Sequence, residues 1–218
     1  MSQFGKIVAL QCRKIGNIMK RNFMEAVANR RSYYALNSNR LVDEAQVCEI
    51  VRKTLETAPS PFNIQSARIV VLGYEAHLQF WDIVEHTLRK VVAEEQFGAT
   101  RQKLHTAFRS GCGTILFYED CAAHDQLRQR FPLYADKVES FVQQSAGMYQ
   151  FIIWTALEDL GYGASLQHYN PLIDAEVAQR WALPATWQLI AQMPYGTPLH
   201  IPGDRVQTSP SDERMWVF

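Results

Sequence analysis

Long hydrophobic runs, paired cysteines and any surplus of charge are missing from this 218-residue sequence. Each absence closes off a class of protein. The apolar stretches fall well short of the roughly 20 residues a membrane helix needs, so no membrane partner is expected. The four cysteines, Cys12, Cys48, Cys112 and Cys121, match neither a CxxC pair nor a zinc framework. They read as reduced, mostly buried thiols, which fits a reducing cytoplasm. The 22 basic and 22 acidic residues balance, so nothing in the total draws a polyanion and no nucleic-acid partner is expected. Six histidines are scattered without an HxxxH or HExxH pair, and no metal site is expected. Repeats and low-complexity tracts are absent too.

What is present is 47% hydrophobic and 20% charged residues, enough for one globular domain with a real core and no staples. The first 24 residues hold Lys6, Arg13, Lys14, Lys20 and Arg21 and no acid. They lack the apolar run and small-residue cleavage site of a signal peptide. Residues 1–18 therefore read as an extension without an assigned function, and 19–218 as the folded domain. Met19 is a second potential start.

Hydrophobic spacing predicts helices over 21–30, from Asp43 (with Gln46 as a capping partner), over 75–92, over 100–108, over 135–160 and over 174–181. Strands are predicted over 67–73, 113–118, 163–169 and 186–193. The unbroken apolar run of 113–118 suggests a doubly covered central strand. Strands come singly between helices, so a central sheet with helices on both faces is expected. The last four residues, Met215, Trp216, Val217 and Phe218, are apolar at the end of a polar stretch, which suggests that they pair with something, such as a second subunit.

Three segments carry chemistry. Arg30-Arg31-Ser32 offers two guanidinium forks and a hydroxyl beside one turn, a set suited to phosphate. Taken alone it reads more readily as a basic helix end, where arginine complements the dipole. In the second segment, Pro59 and Pro61 are expected to hold the chain extended. Asn63 and Gln65, two apart, then project amides to one side, toward a planar ligand with alternating donors and acceptors. A plain polar loop would read the same way. In the third, Gly161, Gly163 and Ala164 would let a backbone approach a flat ring. This stretch lacks the full GxGxxG and preceding strand of a dinucleotide turn.

Taken in order, Arg30-Arg31-Ser32, the loop Pro59-Ser60…Asn63-x-Gln65, the stretch LEDLGYGASLQHYNP from Leu157 and the late basic residue Arg205 resemble the FMN-dependent nitroreductases. The likeness is greatest to the shorter subgroup similar to fungal fatty-acid-repression proteins and related bacterial enzymes. It covers the chain from about Met19 to Phe218. The resemblance implies an α+β fold: a three-layer α/β/α sandwich with a central mixed sheet in an intertwined homodimer. It also implies FMN as cofactor, NADH or NADPH as reductant, and a small aromatic acceptor, nitroaromatic or quinone, served by ping-pong turnover. A non-catalytic flavin-binding sensor is the alternative. By the same analogy Arg30, Arg31, Ser32 and Arg205 hold the phosphate and ribityl end. Ser60, Asn63 and Gln65 reach the isoalloxazine from the partner subunit. Leu166, Gln167 and His168 lie against the ring, with a backbone N–H near flavin N5. One position departs from the pattern: Tyr34 stands where many relatives carry Lys or Arg, two residues after the motif's serine. A cation for the reduced flavin must then come from elsewhere, with Lys103 and Arg109 as candidates.

Overall fold

A computed structural model describes residues 22–206 and 208–218; the expected 1–18 extension lies outside them. The chain opens with helix α1 (Phe23–Asn29), started by a reciprocal cap. The Asn22 side chain accepts from the Glu25 N–H at 3.0 Å, and the Glu25 carboxylate accepts from the Asn22 N–H at 3.2 Å. Then come strand β1 (Leu36–Asn37), α2 (Glu44–Thr57), β2 (Ala67–Leu72), α3 (Tyr74–Arg89) and α4 (Glu94–Lys103). A π-helical stretch, Leu104–Arg109, extends α4, followed by β3 (Gly113–Asp120), α5 (Cys121–Arg130), a 3-10 segment (Pro132–Lys137) and α6 (Val138–Asp159). The fold finishes with β4 (Gly163–Ala164), α7 (Asp174–Arg180), β5 (Trp187–Pro198) and a 3-10 turn, Ser211–Glu213. At the start of α2 the Gln46 side-chain oxygen accepts from the Asp43 N–H at 3.3 Å, as the capping pattern predicts.

The sheet runs β1-β5-β3-β2, with β4 also on β5. Period-two alternation divides its side chains between two cores. Leu72, Leu116, Tyr118 and Leu189 face Phe80, Trp81, Val84, Phe108 and Val177 on one side. Ile115, Phe117, Ala191 and Met193 face Val47, Val51, Ile153 and Leu157 on the other. A bulge between Phe117 and Tyr118 places two residues of β5 opposite one of β3. That is why Leu189 and Ala191, two apart, serve opposite faces.

The expected mixed sheet is corrected. Every named strand pair is antiparallel, and among the described residues the parallel pairing is one isolated bridge, Ser32 with Ala164. The reason lies in the connections. Leu72 ends β2 opposite Thr114 at the start of β3, so the chain must leave and return at the same end of the sheet. Helices α3 and α4 carry it out and back, whereas one crossover helix would have delivered a parallel strand. Three expected elements shift and one helix, α5, was not expected. The strand expected over 163–169 shrinks to two residues. The one expected over 186–193 runs on through Pro194 to Pro198. Helix α5, with only His124 and Leu127 buried, is too polar to show an apolar stripe. The helix expected over 100–108 starts instead at Glu94, where Glu94 and Glu95 complement the helix dipole.

A buried polar knot joins α3 to β3. The Trp81 indole N–H donates to the Thr114 hydroxyl oxygen at 3.0 Å. That hydroxyl also meets His77 Nδ1 at 2.8 Å, and His77 Nε2 meets the Arg109 carbonyl at 3.1 Å. The roles close if the hydroxyl donates to Nδ1 and Nε2–H donates to the carbonyl, which is a neutral imidazole. Burial pulls His77 down to about 4. The unfolded chain therefore takes up the proton first, below about 6.5. This contribution to stability is complete above that pH and is lost as pH falls from 6.5 through 4. Denaturant titrations should show about 2 kcal/mol less stability at pH 5 than at pH 7 from this group alone. His77→Gln should flatten the slope by up to one proton, and an unchanged slope would refute the assignment.

Candidate functional site

Helix α1 ends at Arg30, whose extended backbone (φ −59°, ψ 125°) turns the chain toward the sheet. Ser32 bridges to Ala164, and the Tyr33 N–H donates to the Ala164 carbonyl at 3.0 Å. The approach depends on Gly163: a Cβ there would sit 2.7 Å from the Tyr33 ring. The glycine thus admits Tyr33 of its own chain, and the first and third sequence segments become neighbours.

Around this turn the basic residues converge. The Arg30 guanidinium lies 4.2 Å from the centre of the Trp154 ring on α6. Arg205 reaches back from the C-terminal segment and donates to the Arg30 carbonyl at 2.9 Å and the Ala28 carbonyl at 3.3 Å. Burial lowers the Arg30 pKa, and Arg205 and Arg31 push it lower still, opposed by Glu158. Arg30 Nε is buried without a hydrogen-bond partner. Burial and like-charged neighbours acting on Arg30, with its unused buried donor, make this a place where an anion would be stabilised. A phosphate monoester fits that donor set.

The 60–65 loop is not extended. Pro61–Asn63 form a 3-10 turn, and Phe62, Asn63 and Gln65 all take positive φ (51°, 55° and 52°). The Gln65 N–H donates to the Ser60 hydroxyl at 3.0 Å, and the Gln65 amide donates to the Asn63 side-chain oxygen at 3.2 Å. The two amides do come together, but through a turn and not along a strand. The left-handed bend swings Phe62 outward onto Phe131, with ring centres 4.2 Å apart and planes at 21°, and Tyr134 stands 5.7 Å away. Phe62 stays 46% exposed. The loop's other neighbour is Tyr149, whose hydroxyl donates to the Ala58 carbonyl at 3.4 Å.

The 165–170 segment is held by Gln192, a fully buried polar residue of β5. Gln167 and Gln192 exchange backbone bonds of 2.7 and 2.9 Å. The Gln192 side chain accepts from the Tyr169 N–H at 2.8 Å and donates to Asn170 at 3.0 Å. The Gln167 amide donates to Ser165 at 3.1 Å. Leu166 packs against the core, and the His168 side chain is exposed. Gln192 escaped the sequence reading, although a glutamine inside the apolar run LIAQM was its signal.

Tyr34 is exposed and stands edge-on to Phe108, ring centres 6.2 Å apart; the Lys103 ammonium lies 6.0 Å from the same Phe108 ring. Arg109, the other candidate cation, is committed elsewhere: it donates to both Asp82 oxygens at 2.8 and 3.3 Å, and that pairing raises its pKa. A cleft of about 540 Å³ between α3 and α4 contains Asp82, Glu85, Arg101, His105 and Arg109. Its charges pair off, Arg101 with Glu85 at 2.9 Å and Arg109 with Asp82 at 2.8 Å, and none of the three sequence segments lines it. We therefore place the site at the arginine cluster and not in this cleft. Among the described residues no cluster of ligands suited to a metal occurs, and no helix is long and apolar enough to cross a membrane.

Comparison with known proteins identifies the family. HBN1 of Saccharomyces cerevisiae is 31% identical over 186 residues, covering 84% of this chain and 91% of that protein. The nitroreductase CinD of Lactococcus lactis, in complex with 4-nitrophenol, superposes with a TM-score of 0.80 at 36% identity, covering 90% of this chain and all of that one. Its complex with nicotinic acid superposes at 0.78 and 37% identity with the same coverage. An FMN complex from Desulfovibrio desulfuricans shares the fold at a TM-score of 0.64 and 19% identity, covering 92% of this chain and 98% of that one. A model of the Nitroreductase family matches residues 27–197. The chain therefore belongs to the nitroreductase family and is an oxidoreductase.

Proposed function

We propose that this protein uses FMN to pass electrons from NADH or NADPH to nitroaromatic or quinone-type acceptors, working as a homodimer in the cytoplasm. The observation that carries the reading is the Arg30, Arg31 and Arg205 cluster with its unpartnered Arg30 Nε. Bound FMN would supply the two-electron redox chemistry; the chain supplies binding, orientation and charge. Arg30, Arg31 and Arg205 would neutralise the phosphate, with Ser32 as a further donor. Leu166, Gln167 and the His168 backbone would flank the flavin ring, held in place by Gln192. Tyr34 would donate a hydrogen bond at the ring edge. We assign to Lys103, which flanks the same Phe108 as Tyr34, the positive charge that balances the reduced cofactor.

By the family likeness Ser60, Asn63 and Gln65, on the loop whose Phe62 stacks on Phe131, would serve the flavin of a second subunit. Exposed apolar residues support such a partner: Met148, Phe151 and Ile152 form an outward stripe on α6, and Phe23 and Met24 add to it from α1. The exposed Phe62 would receive the acceptor's ring. The 4-nitrophenol and nicotinic acid complexes of CinD support an aromatic acceptor and a nicotinamide donor. One cleft used in turn by donor and acceptor gives ping-pong kinetics. Free thiols at Cys48, Cys112 and Cys121 suit a reducing compartment. Residues 19–218 would be the working domain, with 1–18 as its extension.

Three measurements test this reading. Purified protein should be yellow with about one FMN per chain, and NADH or NADPH should bleach it anaerobically. Yellow protein that neither nucleotide bleaches would instead be a flavin-binding sensor. Arg30→Ala with Arg31→Ala should weaken FMN binding by about 3 kcal/mol, roughly a hundredfold; unchanged affinity would refute the phosphate assignment. Lys103→Met should make the flavin harder to reduce by about 30 mV, whereas Arg109→Ala should leave the potential unchanged. A shift seen only in the Arg109 variant would reverse that assignment.

A further inference from the structure

The 60–65 loop holds three residues in left-handed backbone, two of them implied flavin contacts. Such a conformation persists only where the surroundings over-determine it. The group that does this is Arg68, the second residue of β2. Its guanidinium donates from Nη1 to the Gln65 carbonyl at 2.8 Å and to the Ala67 carbonyl at 3.0 Å. From Nη2 it donates to Asp120 Oδ2 at 2.9 Å. Asp120 is itself fixed twice: its N–H donates to the Ser66 carbonyl at 3.0 Å, and its Oδ1 accepts the Ala122 N–H at 3.2 Å, capping α5. Both side chains are substantially buried, 33% and 15% exposed.

This one fork spans the two sides of the acceptor platform. Gln65 closes the loop that carries Phe62. Helix α5, capped by Asp120, leads directly to Phe131, the ring on which Phe62 stacks. We propose that Arg68 and Asp120 are a positioning pair that sets the aim of the Asn63 and Gln65 amides and the spacing of the Phe62–Phe131 stack. Lysine could not replace Arg68, because two carbonyls and a carboxylate are met by a planar array of donors and not by a point charge. The inference rests on the reading that Gln65 touches the flavin.

The test is a double-mutant cycle on the full-length, FMN-loaded protein, read by FMN dissociation constant, KM for 4-nitrophenol and melting temperature. Gln65→Ala and Arg68→Met should each weaken FMN about tenfold, and the double variant should lose clearly less than the roughly hundredfold product of the two. Arg68→Met should also raise KM more than it lowers kcat, and Arg68→Lys should fail to restore either. Independent, multiplying losses accompanied by a large fall in melting temperature would show a merely structural role and overturn the proposal. An Arg68→Met protein with native FMN affinity would overturn it as well. If Gln65→Ala alone has no effect on FMN, the flavin reading of the loop falls and the positioning role falls with it. If Gln65→Ala weakens FMN but Arg68→Met does not, only the positioning role falls. Should Arg68→Met not fold, Asp120→Asn replaces it in the cycle: the variant keeps the α5 cap and loses the charge, and is expected to give about a threefold, equally non-additive loss. Native affinity in that variant would overturn the pairing.

Discussion

Arg30 lies against Trp154 with Arg31 and Arg205 as neighbours, and that crowding of like charge is the constraint on which the rest of the site depends. Burial and the neighbouring Arg205 and Arg31 lower the basicity of Arg30, and the like charges repel. The fold sustains the arrangement by tying each element down separately. Arg205 is anchored on the carbonyls of Ala28 and Arg30, Ser32 and Tyr33 are bonded to Ala164, and Gly163 clears the space for the Tyr33 ring. The repulsion is local, and a bound anion would relieve it. On the proposed reading, the phosphate tail of a redox cofactor would be oriented by a surface turn that carries no catalytic side chain of its own.

The sheet makes the turn possible by bringing distant segments to one edge. Strand β5 contacts β1, β3 and β4, so the 30–34 run, the 161–170 segment and the buried Gln192 meet along it. The helices cover both faces because the apolar residues of β3 alternate between two cores. The π-helical stretch after α4 sets Phe108 beneath Tyr34 and brings Lys103 to the same ring. On the proposed reading Tyr34 and Lys103 rest on a core ring, so changes in the Phe108 core should be felt at the site.

Much of this was legible in the sequence, for physical reasons that can be named. The long amphipathic helices α2, α3 and α6 and the apolar strands β2 and β3 announce themselves by period, because burial on one face demands it. The Arg30-Arg31-Ser32 turn and Arg205 were legible as types, and the structure brings them together. Strand direction was not legible: it depends on the end of the sheet at which each connection returns, a tertiary fact. The 60–65 loop misled because two prolines suggest extension, while the left-handed residues Phe62, Asn63 and Gln65 are held by Ser60 and Arg68 from outside the local pattern. Gln192, Arg68 and Asp120 act through backbone carbonyls and N–H groups, which leave no motif in the order of side chains.

The most direct test of the site is to compare FMN with riboflavin, which lacks only the phosphate, by calorimetric titration of the cofactor-stripped protein. FMN is expected to bind about a hundredfold or more tightly than riboflavin, because riboflavin lacks the phosphate that the arginine cluster would meet. Equal affinities would contradict an anion site at Arg30, Arg31 and Arg205.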